Sequence, residues 1–264
     1  MMILGLSKDI FMEWNLNEDK TEFTRVFLDK KQKPKKKGKV VPTVKDEEWR
    51  KNIVLGSMLC SSKDVLRRCT LGNIAFNKYE KLWLHGHQIP LKKRILLYEA
   101  QVVSVMLYNS SSWAVTASDL KKLDVTHRHH LRSIIGIKWP TGVISNANLY
   151  ERCGSRPLSE RVAQSRWKLF GHILRSPENT PAQVALLFAV DNDLKGRVGR
   201  HQNNLFDVLR EDVKRSDLAL KKVLLNTGNV DDVKVFTMKN SDDVMRLREV
   251  AKDRLLWRKC FSNF

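Results

Sequence analysis

Between Arg156 and Arg175 the chain reads RPLSERVAQSRWKLFGHILR, a strongly basic run with a single acid, Glu160. Val162, Leu169, Phe170 and Ile173 fall near one face at helical spacing, so the segment predicts an amphipathic helix that needs a core to cover it. Arg161, Arg166, Lys168 and Arg175 project elsewhere on this reading. Ser159 is the expected cap for orphan amides, and Glu160 sits in the first turn, where the helix dipole favours an anion. A solvated basic helix packed on a core and a helix that grips a polyanion both fit this pattern.

Charge extends the question to the whole chain. Of 264 residues, 48 are Lys or Arg against 29 Asp or Glu, for a formal charge of +19. That imbalance favours polyanionic partners, chiefly nucleic acid, although a ribosome-associated or membrane-surface protein shares it. An apolar fraction of 42% allows a buried core and argues against wholesale disorder. Cys60, Cys69, Cys153 and Cys260 are spread out with no C-x-x-C pair, the usage of reduced, intracellular thiols. No apolar run reaches transmembrane length, and the opening MMILGLSKDIF lacks the basic n-region of a signal peptide, so no membrane is expected. His127, His129 and His130 form H-x-H-H, but no Cys or carboxylate pair nearby completes a ligand set, and no metal is expected.

Three regions follow along the chain: 1–60, 61–175 and 176–264. The first is mixed, with β-capable pieces at 22–28 and 53–59. Between them lies KKQKPKKKGK, with Lys30, Lys31, Lys35, Lys36 and Lys37 among its seven lysines and no acid. Charge repulsion with Pro34 and Gly38 favours an extended, exposed run: an import signal, a phosphate-contacting arm or a solvated loop. The second region turns helical. Pro90 opens a stretch where Leu91, Ile95, Tyr98, Val102 and Met106 recur at helical spacing. Thr116 with Asp119 resembles a capping box ahead of Leu120, Leu123, His127, Leu131 and Ile134. His127 lies on that apolar stripe and reads as a packed core histidine; Lys121, Arg128 and Arg132 share another face. Gly136 is the expected stop. The third region reads as a polar connection followed by helices near 203–214, 217–225 and 242–259. Asp242 and Asp243 open the last, Arg258 and Lys259 close it, and both ends suit the macrodipole.

Read in order, several segments resemble the C-terminal half of a non-LTR (LINE-type) retrotransposon endonuclease–reverse transcriptase, and the resemblance covers nearly the whole chain. NLNEDKTEF, Asn15 to Phe23, is similar to the family's G-L-x-x-N-x-x-K-T-E, and VLGSML, Val54 to Leu59, to its primer-grip turn Y-L-G-S. Asp64 to Trp83 resembles the first thumb helix, and Leu91 to Trp113 a stretch that ends in Y-G-x-E-x-W. Leu120 to Trp139 is similar to L-x-x-L-x-x-x-x-R-R-x-L-R-x-I-x-G-I-x-W, and Arg156 to Arg175 to P-L-S-x-x-I-x-x-R-R-x-x-W-x-G-H-x-x-R. GRVGRH, Gly196 to His201, resembles G-R-x-G-R-P, and DRLLWRK, Asp253 to Lys259, a terminal D-R-x-x-W-R. Departures accompany these matches. Val54 replaces the primer-grip Tyr, Asn109 and Ser111 replace the Gly and Glu after Tyr108, and His201 replaces the Pro after GRxGR. A tryptophan usual shortly afterwards is Leu205 or Phe206 here.

The resemblance implies a mainly α fold: a helical thumb-like bundle with a small β-containing remnant of a polymerase palm at its N-terminus. Leu55, Gly56 and Ser57 would form the primer-grip turn, although Gly56 also reads as a plain hairpin turn. Lys20 would belong to the motif credited with protonating pyrophosphate. The aromatic-Ala-Asp-Asp hairpin that helps hold two metal ions would lie upstream of Leu4 and is absent, so Mg2+ would belong to the missing palm. The implied protein is a truncated reverse transcriptase without polymerase activity of its own, with no catalytic residue and no cofactor in this stretch. Its partners would be RNA, DNA or an RNA–DNA hybrid, together with the missing N-terminal half, in an intracellular and nuclear setting. Arg67, Arg68, Lys121, Arg128, Arg132, Arg166, Lys168 and Arg175 are the candidate phosphate contacts, since an A-form hybrid is held by backbone and shape. Trp113, Trp139 and Trp167 would either stack on bases or fill cores. The alternative is a domesticated helical module that docks an acidic protein.

Overall fold

A computed structural model describes residues 53–84, 88–137, 142–191, 205–215 and 241–260 of the chain. Lys20, the lysines between Lys30 and Lys39, Trp139 and the expected helix at 217–225 lie outside the described residues.

The described residues are mainly helical, with one small sheet. Strands β1 (Ile53–Val54) and β2 (Ser57–Met58) pair antiparallel, with Val54 opposite Ser57. Only Leu55 and Gly56 separate them, and both have positive φ, +48° and +80°, as a two-residue hairpin requires. Helix α1 (Ser61–Tyr79) continues into a π-helical turn, Glu80–Leu84. Helix α2 (Leu91–Tyr98) likewise passes through a π turn, Glu99–Val103, before it ends at Met106. Ile95, Tyr98, Val102 and Met106 are buried, as their spacing predicts.

Helix α3 (Ala117–Ile134) starts at its expected cap: the Thr116 side chain accepts from the Asp119 amide at 3.3 Å. Leu120, Leu123, His127, Leu131 and Ile134 are all buried. It stops at Gly136, whose φ of +74° lets its amide reach the Ser133 carbonyl while the Ile137 amide reaches Arg132. Helix α4 (Asn146–Cys153) precedes α5 (Leu158–Arg175). Ser159 is not the α5 cap. Pro157 holds that position, and the Ser159 amide and hydroxyl both donate to the Asp124 carboxylate, at 3.0 and 2.7 Å, which staples α5 to α3. Glu160 does occupy the first turn, where burial raises its pKa.

Beyond α5 the expected polar connection is in part helix α6 (Pro181–Asp191). Helix α7 (Leu205–Arg215) matches the expectation near 203–214. The final helix is two: α8 (Ser241–Lys252) and α9 (Arg254–Cys260). Asp253 breaks it, its Oδ1 accepting from the Leu255 and Leu256 amides at 2.9 and 3.0 Å as a new N-cap.

Among the described residues two apolar cores result. One gathers α1 to α4 with Trp113 and the start of α5 through Val162. The other gathers α5 from Trp167 onward with α6, α7, α8 and Trp257 of α9. The expected boundary at 175 therefore does not separate the packing, because α5 belongs to both cores. Trp113 and Trp167 are 2% and 0% exposed and fill cores rather than stack on a ligand.

Within the first core lies a polar island. Tyr98 Oη meets His127 Nδ1 at 2.8 Å and His130 Nδ1 at 3.3 Å, while the far nitrogens meet Ser155 Oγ at 3.2 Å and Asn73 Oδ1 at 2.8 Å. Burial, reinforced by the Arg161 charge, lowers His127 to about 3; burial and His129 lower His130 to about 4. An unfolded histidine protonates near pH 6.5. Between those values the unfolded chain binds more protons, so this contribution is complete above pH ~6.5. It falls on acidification by up to roughly 1.4 kcal/mol per pH unit per histidine. Urea midpoints from pH 7 to 4.5 should drop accordingly, and a His127→Gln, His130→Gln double variant should lose most of that slope. An unchanged slope in the variant would place the acid sensitivity elsewhere.

Candidate functional site

The sequence pointed to eight candidate phosphate contacts, and the structure commits most of their arginines to internal contacts. Arg67 donates to the Gly56 carbonyl at 3.0 Å. Arg68, 5% exposed, donates to the same carbonyl, reaches Ser57 Oγ at 3.2 Å and stacks 4.5 Å over the Tyr108 ring. Tyr108 in turn donates to the Leu55 carbonyl at 3.0 Å. Buried Asp64 gathers this corner, accepting from the Met58 amide and from Trp113 Nε1, each at 3.0 Å. The Leu55–Gly56 turn is thus held from behind, and it presents the apolar Leu55 side chain outward, 90% exposed.

Arg166 is the clearest correction. Its side chain is 1% exposed, not surface-facing: Nη1 binds the Asp212 carboxylate of α7 at 2.5 Å and Nε donates to the Trp113 carbonyl at 3.3 Å. On α3, Arg132 donates to Asn146 Oδ1 at 2.7 Å and Arg128 to Tyr150 Oη at 3.4 Å, both tying α3 to α4, while Lys121 is exposed.

What does converge is a cleft of about 920 Å³ between α5 and α9. Gln164, Lys168, His172 and Arg175 form one wall, successive helical turns along a single stripe of α5. Arg254 and Arg258, one turn apart on α9, form the other, with Arg156 among the lining residues and hydrogen-bonded to Gln164 at 2.9 Å. Ser176 and Pro177, just past the end of α5, also line it. No Asp or Glu lines it, and none of Lys168, Arg254 and Arg258 pairs with a carboxylate among the described residues. Burial, then the adjacent Arg254 and Arg258 charges, push the Arg175 pKa below the usual arginine value.

Two contacts set the width of the cleft. Arg175 Nη1 donates to the Ala251 carbonyl at 3.0 Å, near the C-terminal end of α8 where the dipole favours a cation. Trp257, 3% exposed beneath the cleft, donates its Nε1–H to the Trp167 carbonyl at 3.1 Å. That approach needs Gly171, because a Cβ there would lie 2.3 Å from Trp257 Nε1 and 2.6 Å from its Cε2.

Of the expected residues, then, only Lys168 and Arg175 line the cleft. Arg156, His172, Arg254 and Arg258 were missed, although the i, i+4 pair in DRLLWRK was visible. Among the described residues no three His, Cys, Asp or Glu side chains gather as a metal site, and no helix is long and apolar enough to cross a membrane. No protein-family model, curated protein or solved structure matches the chain.

Gly171→Ala should displace Trp257 and destabilise the fold by roughly 1–3 kcal/mol, the usual cost of overpacking. Thermal unfolding with intrinsic Trp fluorescence reads both effects. A neutral outcome would mean that α9 is not held against α5 as described.

Proposed function

We propose that this protein binds nucleic acid through its sugar–phosphate backbone, the role expected of a thumb and post-polymerase region from a LINE-type reverse transcriptase. The observation that supports it is the carboxylate-free cleft, where cations from α5 and α9 face one space. Guanidiniums suit this task because their rigid fork matches phosphate oxygens. Crowding like charges is unfavourable by itself, and a bound polyanion relieves it.

Recognition on this reading is sequence-tolerant. Trp257 is too deep to stack on a base, and every charged Lys or Arg side chain that lines the cleft is a cation suited to phosphate. Phosphate contacts position a strand without reading it. Lys121, exposed on α3, is not among the residues that line the cleft, and Arg67, Arg68, Arg128, Arg132 and Arg166 support the fold. No bond-making step is assigned to the described residues; binding is the activity. The Lys30 to Lys39 run is compatible with import into the nucleus under this proposal.

Fluorescence anisotropy with a labelled RNA–DNA hybrid bearing a single-stranded overhang tests it. Affinity should fall with salt at a log–log slope of roughly 0.7–0.9 per phosphate contacted. Arg254→Ala with Arg258→Ala should lower that slope by nearly two contacts. Salt-independent affinity, or no probe binding alongside tight capture of an acidic peptide, would favour a protein-docking module instead.

A further inference from the structure

The cleft is narrow for a double helix. Its two walls are helices in direct contact through Trp257 and Gly171, and packed helix axes lie only ~8–10 Å apart. The major groove of a duplex alone is ~12 Å wide. A double helix can therefore touch the rims without entering. The volume of about 920 Å³ sits at the upper end of the ~300–1,000 Å³ that encloses a small ligand. Along α5, Gln164 to Arg175 covers roughly 16 Å at the helical rise. That length holds a short run of backbone phosphates.

Resting on the nucleic-acid reading, we propose that the cleft takes a single strand, its phosphates turned inward between Lys168 and Arg175 on one side and Arg254 and Arg258 on the other. The bases face solvent, since the floor beneath them is the sealed Trp257 and offers no stacking platform. The site therefore differs from single-strand grooves built on exposed aromatics, and it accepts purine and pyrimidine runs alike. His172 stands in the same stripe between Lys168 and Arg175, one turn from each. Occupancy also screens the mutual repulsion of Arg175, Arg254 and Arg258, so binding raises the unfolding temperature.

The test uses the full chain with labelled 12-nucleotide single strands, dT and dA homopolymers, and a blunt duplex of equal length. Both single strands should bind within about three-fold of each other and at least about ten-fold more tightly than the duplex. Arg254→Ala with Arg258→Ala should weaken single-strand binding about ten-fold or more, while Arg254→Lys with Arg258→Lys retains most of it and Lys121→Ala changes it less than two-fold. Arg254 and Arg258 are exposed, so unfolding of the alanine variant is not expected, and its melting curve without ligand verifies this. A duplex that binds as tightly, with the same loss in the alanine variant, overturns the single-strand occupant and leaves the nucleic-acid reading intact. No binding of any oligonucleotide overturns both. Inorganic tripolyphosphate that displaces the probe at equal phosphate concentration identifies a small-polyphosphate site and overturns the strand.

Discussion

Arg166 is the cation on which the arrangement of the helices depends. It lies where the two apolar cores meet, and its guanidinium joins the Trp113 carbonyl of one to the Asp212 carboxylate of the other. Both partners are almost fully withdrawn from water, with side-chain exposures of 1% and 7%. Ions in such a place persist only when paired and hydrogen-bonded, and removing one partner of a buried pair costs about 3–5 kcal/mol. Helix α5 therefore has one permitted roll about its axis. With Leu158, Val162, Arg166, Phe170 and Leu174 turned inward, the Gln164, Lys168, His172 and Arg175 stripe is left at the surface.

Among the described residues, two groups of cations stand apart. One finishes secondary structure. Arg94 donates to the Leu84 and Ile134 carbonyls at 3.0 and 2.6 Å and so satisfies the ends of two helical segments. Arg67 and Arg68 do the same for the hairpin turn, and Arg161 pairs with Glu99 at the start of the π turn in α2. The other population, Lys168, Arg254 and Arg258, lacks a carboxylate among the described residues and faces the cleft. Arg175 belongs to both, holding the Ala251 carbonyl while it contributes field to the cleft. Net charge alone does not distinguish these roles; burial and partners do.

Much of the helical fold was legible because its cues are local. Thr116 and Asp119 cap α3, Gly136 ends it, and the apolar spacing of α2 and α3 marks the buried residues. Helix α6 escaped because PAQVALLFAVD is apolar on nearly every side and shows no polar face to set a period. Arg166 was misplaced because its charge outweighed its position: it lies four residues from both Val162 and Phe170, on the buried face. The Ser159 cap was inferred from residue type, whereas the side chain serves Asp124, far away in sequence. The cleft was the least legible feature. It needs residues 168–175 and 254–258 to meet, and that meeting rests on a glycine–tryptophan approach that no local pattern announces.

On the proposed function, a nucleic-acid strand lies between α5 and α9. Hydrogen–deuterium exchange of the full chain, free and saturated with a single-stranded oligonucleotide, locates the contact without altering a residue. New protection is expected in peptides covering 164–177 and 254–260, with the hairpin at 53–58 and the outer face of α3 unchanged. Protection confined to the hairpin or α3, with α5 and α9 exchanging as in the free protein, would contradict it.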